Sequence, residues 1–279
     1  MKILKEGSFT GERALYGSRD VQICDSVFFD GESPLKESRG IELHGCIFKW
    51  KYPLWCCKDV TVSDCTLLET ARSGIWYTEN ISISDSTIEA PKTFRRAKGI
   101  CLDRCTMPNA QETLWNCSDV KLRSVDVKGD YFGMGSERIS ADGLVISGNY
   151  AFDGAKDIEI RNARLISKDA FWNCENVTVY DSVIIGEYLA WNSKNVRFVN
   201  CTVESNQGMC YVENLVLENC KVINTDLAFE LATVEADVTT HIISVKNPIS
   251  GKIKAPSIGE IILDKSIIDP DKTEIITEE

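Results

Sequence analysis

The sequence predicts an all-β protein, a parallel β-helix or β-solenoid of about twelve coils that ends in a C-terminal β cap. A pattern of the form Asp/Asn-Val-x-Val-x-Asp/Asn-Cys/Ser-x-Val recurs through most of the chain. Within each unit, β-branched residues alternate and are followed by Asn, Asp or Gly, which is typical of short strands joined by tight turns. No window keeps a 3.6-residue apolar period for three turns, which argues against helical repeats.

The spacing of the repeat predicts the geometry of a coil. Its first apolar residue recurs at intervals of 20, 19, 21, 19 and 20 residues and then five times at 19. These residues are Val21, Ile41, Val60, Ile81, Ile100, Val120, Ile139, Ile158, Val177, Val196 and Leu215. A propeller blade needs about 40 residues and a horseshoe repeat needs a Leu-rich consensus, so neither fits. We therefore expect one circuit per unit, with its strands in parallel pairs at ~4.8 Å.

Stacked coils turn each repeat position into a column with one environment. The columns two and seven residues after the first apolar residue are apolar and are predicted to point inward, as Ile23 and Phe28 do in the first unit. Two further columns hold small residues, and eight of the twelve cysteines fall in them. We interpret these cysteines as reduced thiols that pack at corners, because metal-binding and reactive cysteines need polar surroundings and clustered spacing.

Asp and Asn form two more columns, one just before the first apolar residue and one four residues after it. Asp59 and Asp64 represent them in the same unit. Both residue types bond to local backbone and tolerate left-handed backbone angles, so these columns are predicted to be turns.

A single domain is expected, with four parts. An N-terminal cap over residues 1–16 precedes coils over 17–236, and cap strands over 237–268 precede an acidic tail over 269–279. The cap strands are predicted because the repeat phase is lost after Val234 and because an open solenoid end is an exposed sheet edge.

Several segments resemble a known family. They are Gly11-Glu-Arg-Ala-Leu-Tyr16, Gly31-Glu-Ser-Pro-Leu-Lys36, Trp50-Lys-Tyr-Pro-Leu-Trp55, Ala71-Arg-Ser-Gly-Ile-Trp76 and Ser244-Val-Lys-Asn-Pro-Ile-Ser-Gly251. The chain resembles the pectin-lyase-like single-stranded right-handed β-helix, and these segments are similar to the bacterial family of domain of unknown function thirty-seven thirty-seven. The resemblance implies right-handed coils and a bacterial origin. The family carries no established activity, so it supplies no catalytic residues.

The candidate binding surface is a column that we call the aromatic stripe, five residues before the first apolar residue. Five of the six tryptophans fall in it, together with charged residues. Because an unpaired charge is costly in a thin apolar core, the stripe is predicted to face outward. The candidate ligand-binding residues are Trp55, Trp76, Arg95, Arg96, Trp115, Asn116, Asp153, Trp172 and Trp191. Two interpretations remain open: a structural ladder of stacked rings covered by loops, or a contact surface for a glycan or a protein.

Catalytic residues cannot be assigned from the sequence. Lys36, Arg95 and Asp153 share the stripe but lie three coils apart, roughly 14 Å, beyond the reach of one reacting centre. Asp103, Arg123, Asp142 and Arg161 occupy one outward column in consecutive coils, and their alternating signs predict a salt-bridge ladder, with an acid–base site as the alternative. No metal site and no cofactor are predicted.

Charge narrows the choice of partners. The chain has 42 acidic and 31 basic residues and a net charge of −11, which disfavours nucleic acid and anionic membranes. The absence of a signal-like start or a long apolar run predicts a cytoplasmic protein.

We interpret the protein as a non-catalytic binding or scaffolding protein for a glycan or protein ligand. A carbohydrate-active lyase or glycoside hydrolase and a self-associating structural rod, hence a homo-oligomer, remain alternatives.

Overall fold

The computed structural model describes residues 1–278, which form two compact units divided between Val145 and Ile146. Regular structure in this range consists of strands and of two short 3₁₀ turns, Glu69–Ala71 and Pro270–Lys272. Across residues 1–278, no helix has the length and apolarity that a membrane span requires.

The first unit contains two parallel ladders of strands. Its strands are β1 (Lys2–Lys5), β2 (Ser8–Phe9), β3 (Arg19–Cys24), β4 (Val27–Phe28), β5 (Arg39–His44), β6 (Ile47–Phe48), β7 (Lys58–Ser63), β8 (Thr66–Leu67), β9 (Ile75–Trp76), β10 (Glu79–Ser84), β11 (Thr87–Ile88), β12 (Phe94–Arg95), β13 (Lys98–Asp103), β14 (Thr106–Met107), β15 (Ser118–Arg123), β16 (Asp126–Lys128) and β17 (Glu137–Asp142). The long ladder runs β1, β3, β5, β7, β10, β13, β15, β17, and the short ladder runs from β2 to β16. A separate parallel pair joins β9 to β12.

The second unit repeats this arrangement. The chain enters it through β18 (Val145–Ser147) and continues with β19 (Lys156–Arg161), β20 (Arg164–Ile166), β21 (Glu175–Tyr180), β22 (Val183–Glu187), β23 (Lys194–Val199), β24 (Thr202–Asn206), β25 (Glu213–Ile223), β26 (Thr233–Val238), β27 (Ile242–Lys246), β28 (Ser250–Ala255), β29 (Ile258–Ile262) and β30 (Thr273–Thr277). Its long ladder runs β19, β21, β23, β25, β26, β28, β30. The chain is therefore an all-β parallel β-solenoid of about 15 turns rather than twelve.

The difference in coil number comes from both ends of the chain, with two of the additional turns in the C-terminal region and one at β1. Val234 pairs with Gly251, and Gly251 pairs with Thr273, so the ladder continues where closing strands were expected over 237–268. The separate C-terminal cap is not confirmed. The expected acidic tail contains β30, and its last residue, Glu279, lies outside the described residues. At the other end, β1 already pairs with β3. The single-domain prediction stays a prediction.

The predicted core columns are buried. Ile23 and Phe28 are almost fully buried, and the rings of Phe28 and Phe48 stack with centroids 4.5 Å apart. The corner thiols are buried as well: the Cys57 Sγ–H donates to the Leu35 carbonyl at 3.1 Å. Burial raises the pKa of Cys57 to about 12, which keeps the thiol protonated at neutral pH. The interpretation of these cysteines as packing residues is confirmed.

The predicted turn columns have left-handed backbone angles. Asp59 has φ 55° and Asp64 has φ 52°, and the Asn residues of the same columns have similar values. In the second unit, Asn176 donates from Nδ2 to Asp157 Oδ1 at 2.8 Å, and Asn195 donates to Asn176 Oδ1 at 2.9 Å. In these turns, a left-handed backbone is therefore combined with a side-chain hydrogen bond to the neighbouring coil.

Candidate binding surface: the aromatic stripe

The aromatic stripe of the first unit is a continuous stack. The rings of Trp55 and Trp76 lie 5.1 Å apart and 9° from parallel. The guanidinium carbon of Arg95 is 4.7 Å from the centroid of Trp76 and 4.6 Å from that of Trp115, so it lies between two indoles. Backbone pairing sets this order, since Arg95 pairs with Trp76 on one side and with Trp115 on the other.

Hydrogen bonds hold the indoles in place. The Nε1–H of Trp55 donates to the Ser73 carbonyl at 2.5 Å, and that of Trp76 donates to the Lys92 carbonyl at 2.9 Å. Trp115 makes the corresponding bond to Tyr131 at 2.8 Å. Each acceptor belongs to the loop of the next coil, so that loop covers one edge of the ring. The three indoles are consequently half-buried and have a fixed orientation.

Tyrosines extend the stripe. The ring of Tyr52 lies 4.6 Å from that of Trp55, and Tyr77 packs edge-on against Trp76 at 6.4 Å. Tyr77 is 44% exposed. Tyr52 and Tyr131 were not among the candidate residues, but the sequence contains a signal for them, because tyrosine recurs three residues before the stripe position. This column contains Tyr52, Tyr131, Tyr150 and Tyr188.

The charges around Arg95 are incompletely paired. Its Nη2 is 3.6 Å from the Glu112 carboxylate, which Lys92 contacts more closely at 3.0 Å. The Nε of Arg95 is the one buried side-chain nitrogen or oxygen in residues 1–278 that lacks a hydrogen-bond partner. Arg96 and Asn116 follow Arg95 and Trp115 in the chain, and both are exposed.

The second unit contains the other three candidates, in separate contacts. Trp172 stacks on Tyr150 with centroids 6.1 Å apart. The ring of Trp191 lies edge-on between Tyr188 and Tyr211, with both centroids 5.0 Å away. Asp153 accepts a hydrogen bond from Asn173 at 3.2 Å. These contacts make a second aromatic region with its own geometry.

Comparison with known proteins places the chain in a family. The profile of the family described as "Protein of unknown function (DUF3737)" matches residues 2–276. The chain belongs to this family. No curated protein matches the sequence.

Several solved structures are similar to this DUF3737 chain. The A-module of the mannuronan C-5 epimerase AlgE4 of Azotobacter vinelandii is 11% identical, with 98% of this chain and 88% of that chain covered and a TM-score of 0.32. A mutant tailspike protein of E. coli bacteriophage HK620, in complex with a pentasaccharide, is 9% identical over 93% and 70%, with a TM-score of 0.41. QnrB1, a plasmid-mediated fluoroquinolone resistance protein, is 15% identical over 65% and 86%, with a TM-score of 0.31.

The charged column of this DUF3737 chain is built from ion pairs. Asp103 accepts from the Nε of Arg123 at 3.0 Å and from Nη1 of Arg104 at 2.5 Å. In the second unit, Arg161 pairs with Glu159 at 3.2 Å. The Asp103–Arg123 pair is a contact of the predicted salt-bridge ladder, whereas Arg104 lies outside the predicted column and Glu159 lies on the same strand as Arg161. Among residues 1–278, no group of three or more His, Cys, Asp or Glu side chains is placed to hold a metal ion.

Proposed function

We propose that this protein is a non-catalytic binding or scaffolding protein, and that it contacts a protein partner through the aromatic stripe of the first unit. The observation that carries this proposal is a half-exposed cluster of Trp, Tyr and Arg whose geometry is fixed before any ligand arrives. These three residue types dominate the binding energy of protein interfaces. A rigid surface also loses little conformational entropy on binding.

The orientation of the rings favours a protein over a sugar. A sugar ring usually binds against an open aromatic face, but Trp76 has one face against Trp55 and the other against Arg95. The groups left at the surface are ring edges, the Tyr77 phenol and the Arg96 guanidinium. Such a mixture of apolar edges and polar tips is typical of the contact residues of protein interfaces.

Site-specific photocross-linking tests this proposal. A benzophenone amino acid replaces Tyr77 in one variant and Ile47 in a control, because Ile47 is similarly exposed but lies outside the stripe. We expect a discrete protein adduct in producing cells for the Tyr77 variant and none for the control. Equal labelling at both positions would contradict the proposal, and an adduct of twice the chain mass would instead support the self-associating rod.

Two further measurements test the alternatives. If the wild type binds a glycan on an array and Tyr77→Ala does not, the ligand of the stripe is a glycan and not a protein. Cleavage of polyuronides is assayed by ultraviolet absorbance and by the formation of reducing ends, with and without calcium. Cleavage in this assay would mean that the protein is an enzyme. We expect neither.

A further inference from the structure

Several arginines of the first unit have carboxylate partners within the chain. Arg104 donates from Nε and Nη2 to Asp85 at 2.6 and 2.8 Å. Arg138 donates from Nε to Asp119 at 2.7 Å, and Arg123 pairs with Asp103. Such pairs are favourable, because a planar guanidinium matches a carboxylate with two parallel hydrogen bonds.

Arg95 and Arg96 have no hydrogen-bonded carboxylate partner in the described range, and neither do Arg19, Arg39 and Arg72. Arg95 differs from these in lying between two indole rings. The side chain of Arg95 makes no hydrogen bond within residues 1–278, and its one ion pair is the 3.6 Å contact to Glu112. Arg96 is exposed and forms neither an ion pair nor a side-chain hydrogen bond in the described range. Two consecutive guanidinium groups therefore have free donors in a chain with an excess of acidic residues.

The aromatic stripe holds the Arg95 guanidinium in one orientation. The Trp76 and Trp115 rings cover both faces of the Arg95 guanidinium, and 24% of this side chain stays exposed. One coil earlier, the Tyr77 ring packs edge-on against the Trp76 ring, with centroids 6.4 Å apart. The Arg96 side chain is accordingly expected beside the edge of Arg95.

We propose that Arg95 and Arg96 bind carboxylates of an acidic polypeptide segment, an inference that rests on the binding role proposed above. The planar, weakly hydrated guanidinium is suited to this contact, and the aromatic edges around it exclude water. Glu112 is the internal competitor, because its carboxylate already attracts the terminal nitrogen of Arg95. The partner is thus a protein that presents Glu or Asp side chains to the stripe.

Fluorescence anisotropy of a labelled oligoglutamate peptide tests the inference, with the matched oligoglutamine peptide as the probe control. We expect the wild type to bind only the acidic peptide. Arg96→Ala and Arg95→Lys should each weaken binding about tenfold, which corresponds to the loss of one charge-assisted hydrogen bond. Glu112→Gln should strengthen it. Arg123→Ala is the matched control and should bind as the wild type does, because Arg123 is already paired with Asp103.

The outcomes separate the two proposals. Equal binding of both peptides, or unchanged binding in Arg96→Ala, overturns the carboxylate site. If a protein adduct still forms at Tyr77 in that case, the stripe binds a partner by other contacts and the proposed function stands. Near-ultraviolet circular dichroism of the indoles tests whether the ring stack persists in Arg95→Lys. If the stack is lost in that variant, the peptide binding of Arg96→Ala alone decides whether the carboxylate site exists.

Discussion

At the scale of single residues, the corner after the stripe demands a backbone conformation that most side chains avoid. Asn116 has φ 50° there, which asparagine tolerates, but Tyr77 has φ 58° and Arg96 has φ 49°. The left-handed region costs an ordinary L-residue roughly 1–2 kcal/mol. Tyr77 and Arg96 therefore occupy positions that asparagine would fill at lower cost.

The first prediction concerns this corner. Arg96→Asn should raise the free energy of unfolding by about 0.5–1 kcal/mol, because asparagine accepts the left-handed conformation more readily. The same change should weaken binding of the acidic peptide about tenfold, as Arg96→Ala does, because both variants lack the guanidinium. Urea unfolding at equilibrium measures the free energy of unfolding. Asn116→Ala at the equivalent corner is the control, and its free energy of unfolding should fall. A loss of stability in Arg96→Asn would show that Arg96 has a structural role.

At the scale of elements, side-chain ladders join successive turns of the second unit. The chain of bonds runs from Asn214 to Asn195, from Asn195 to Asn176, and from Asn176 to Asp157. Every Nδ2 donates to the Oδ1 of the coil beneath, and the carboxylate at the end accepts the last bond. Aligned hydrogen bonds of this kind polarise one another, so the ladder acts as a unit.

The second prediction breaks this ladder at its middle. Asn195→Ala removes one donor and one acceptor and places alanine in the left-handed region, where Asn195 has φ 54°. We expect a loss of about 1–3 kcal/mol, from the hydrogen bonds and from the backbone together. Urea unfolding measures this loss. Asn195→Gly, which removes only the side chain's bonds, should lose less, and equal losses in both variants would assign the whole effect to the hydrogen bonds.

At the scale of the whole molecule, the solenoid pattern persists after its sequence period is lost. Val234, Gly251 and Thr273 are successive partners in the long ladder, although the steps between them are 17 and 22 residues. Ile253 in β28 is fully buried, and Ile275 in β30 pairs directly with it. The final coil therefore covers apolar side chains of the coil before it.

The third prediction follows from this coverage. Removal of residues 270–279 deletes β30 and exposes Ile253, so we expect a lower thermal midpoint and concentration-dependent aggregation through the uncovered strand edge. Calorimetry and light scattering measure these effects. Ile275→Ser keeps the strand but weakens its apolar contact, and its midpoint should fall between those of the truncated and complete chains. An unchanged midpoint after truncation would mean that β30 contributes nothing to stability.

The period, the inward columns and the Asp and Asn turns could be predicted from the sequence, because each is a local property that repeats. In one coil, Val60 and Val62 point inward and Asp59 lies in a turn. Residues at the same positions of the other coils do so for the same physical reasons. The pairing of Arg95 depended on the tertiary structure, because the partners of a side chain on a corner are set by residues about one coil away and by the loops over them. The continuation of the ladder to Thr277 depended on it too, since coils of unequal length keep their register through backbone hydrogen bonds, which the order of residue types does not encode.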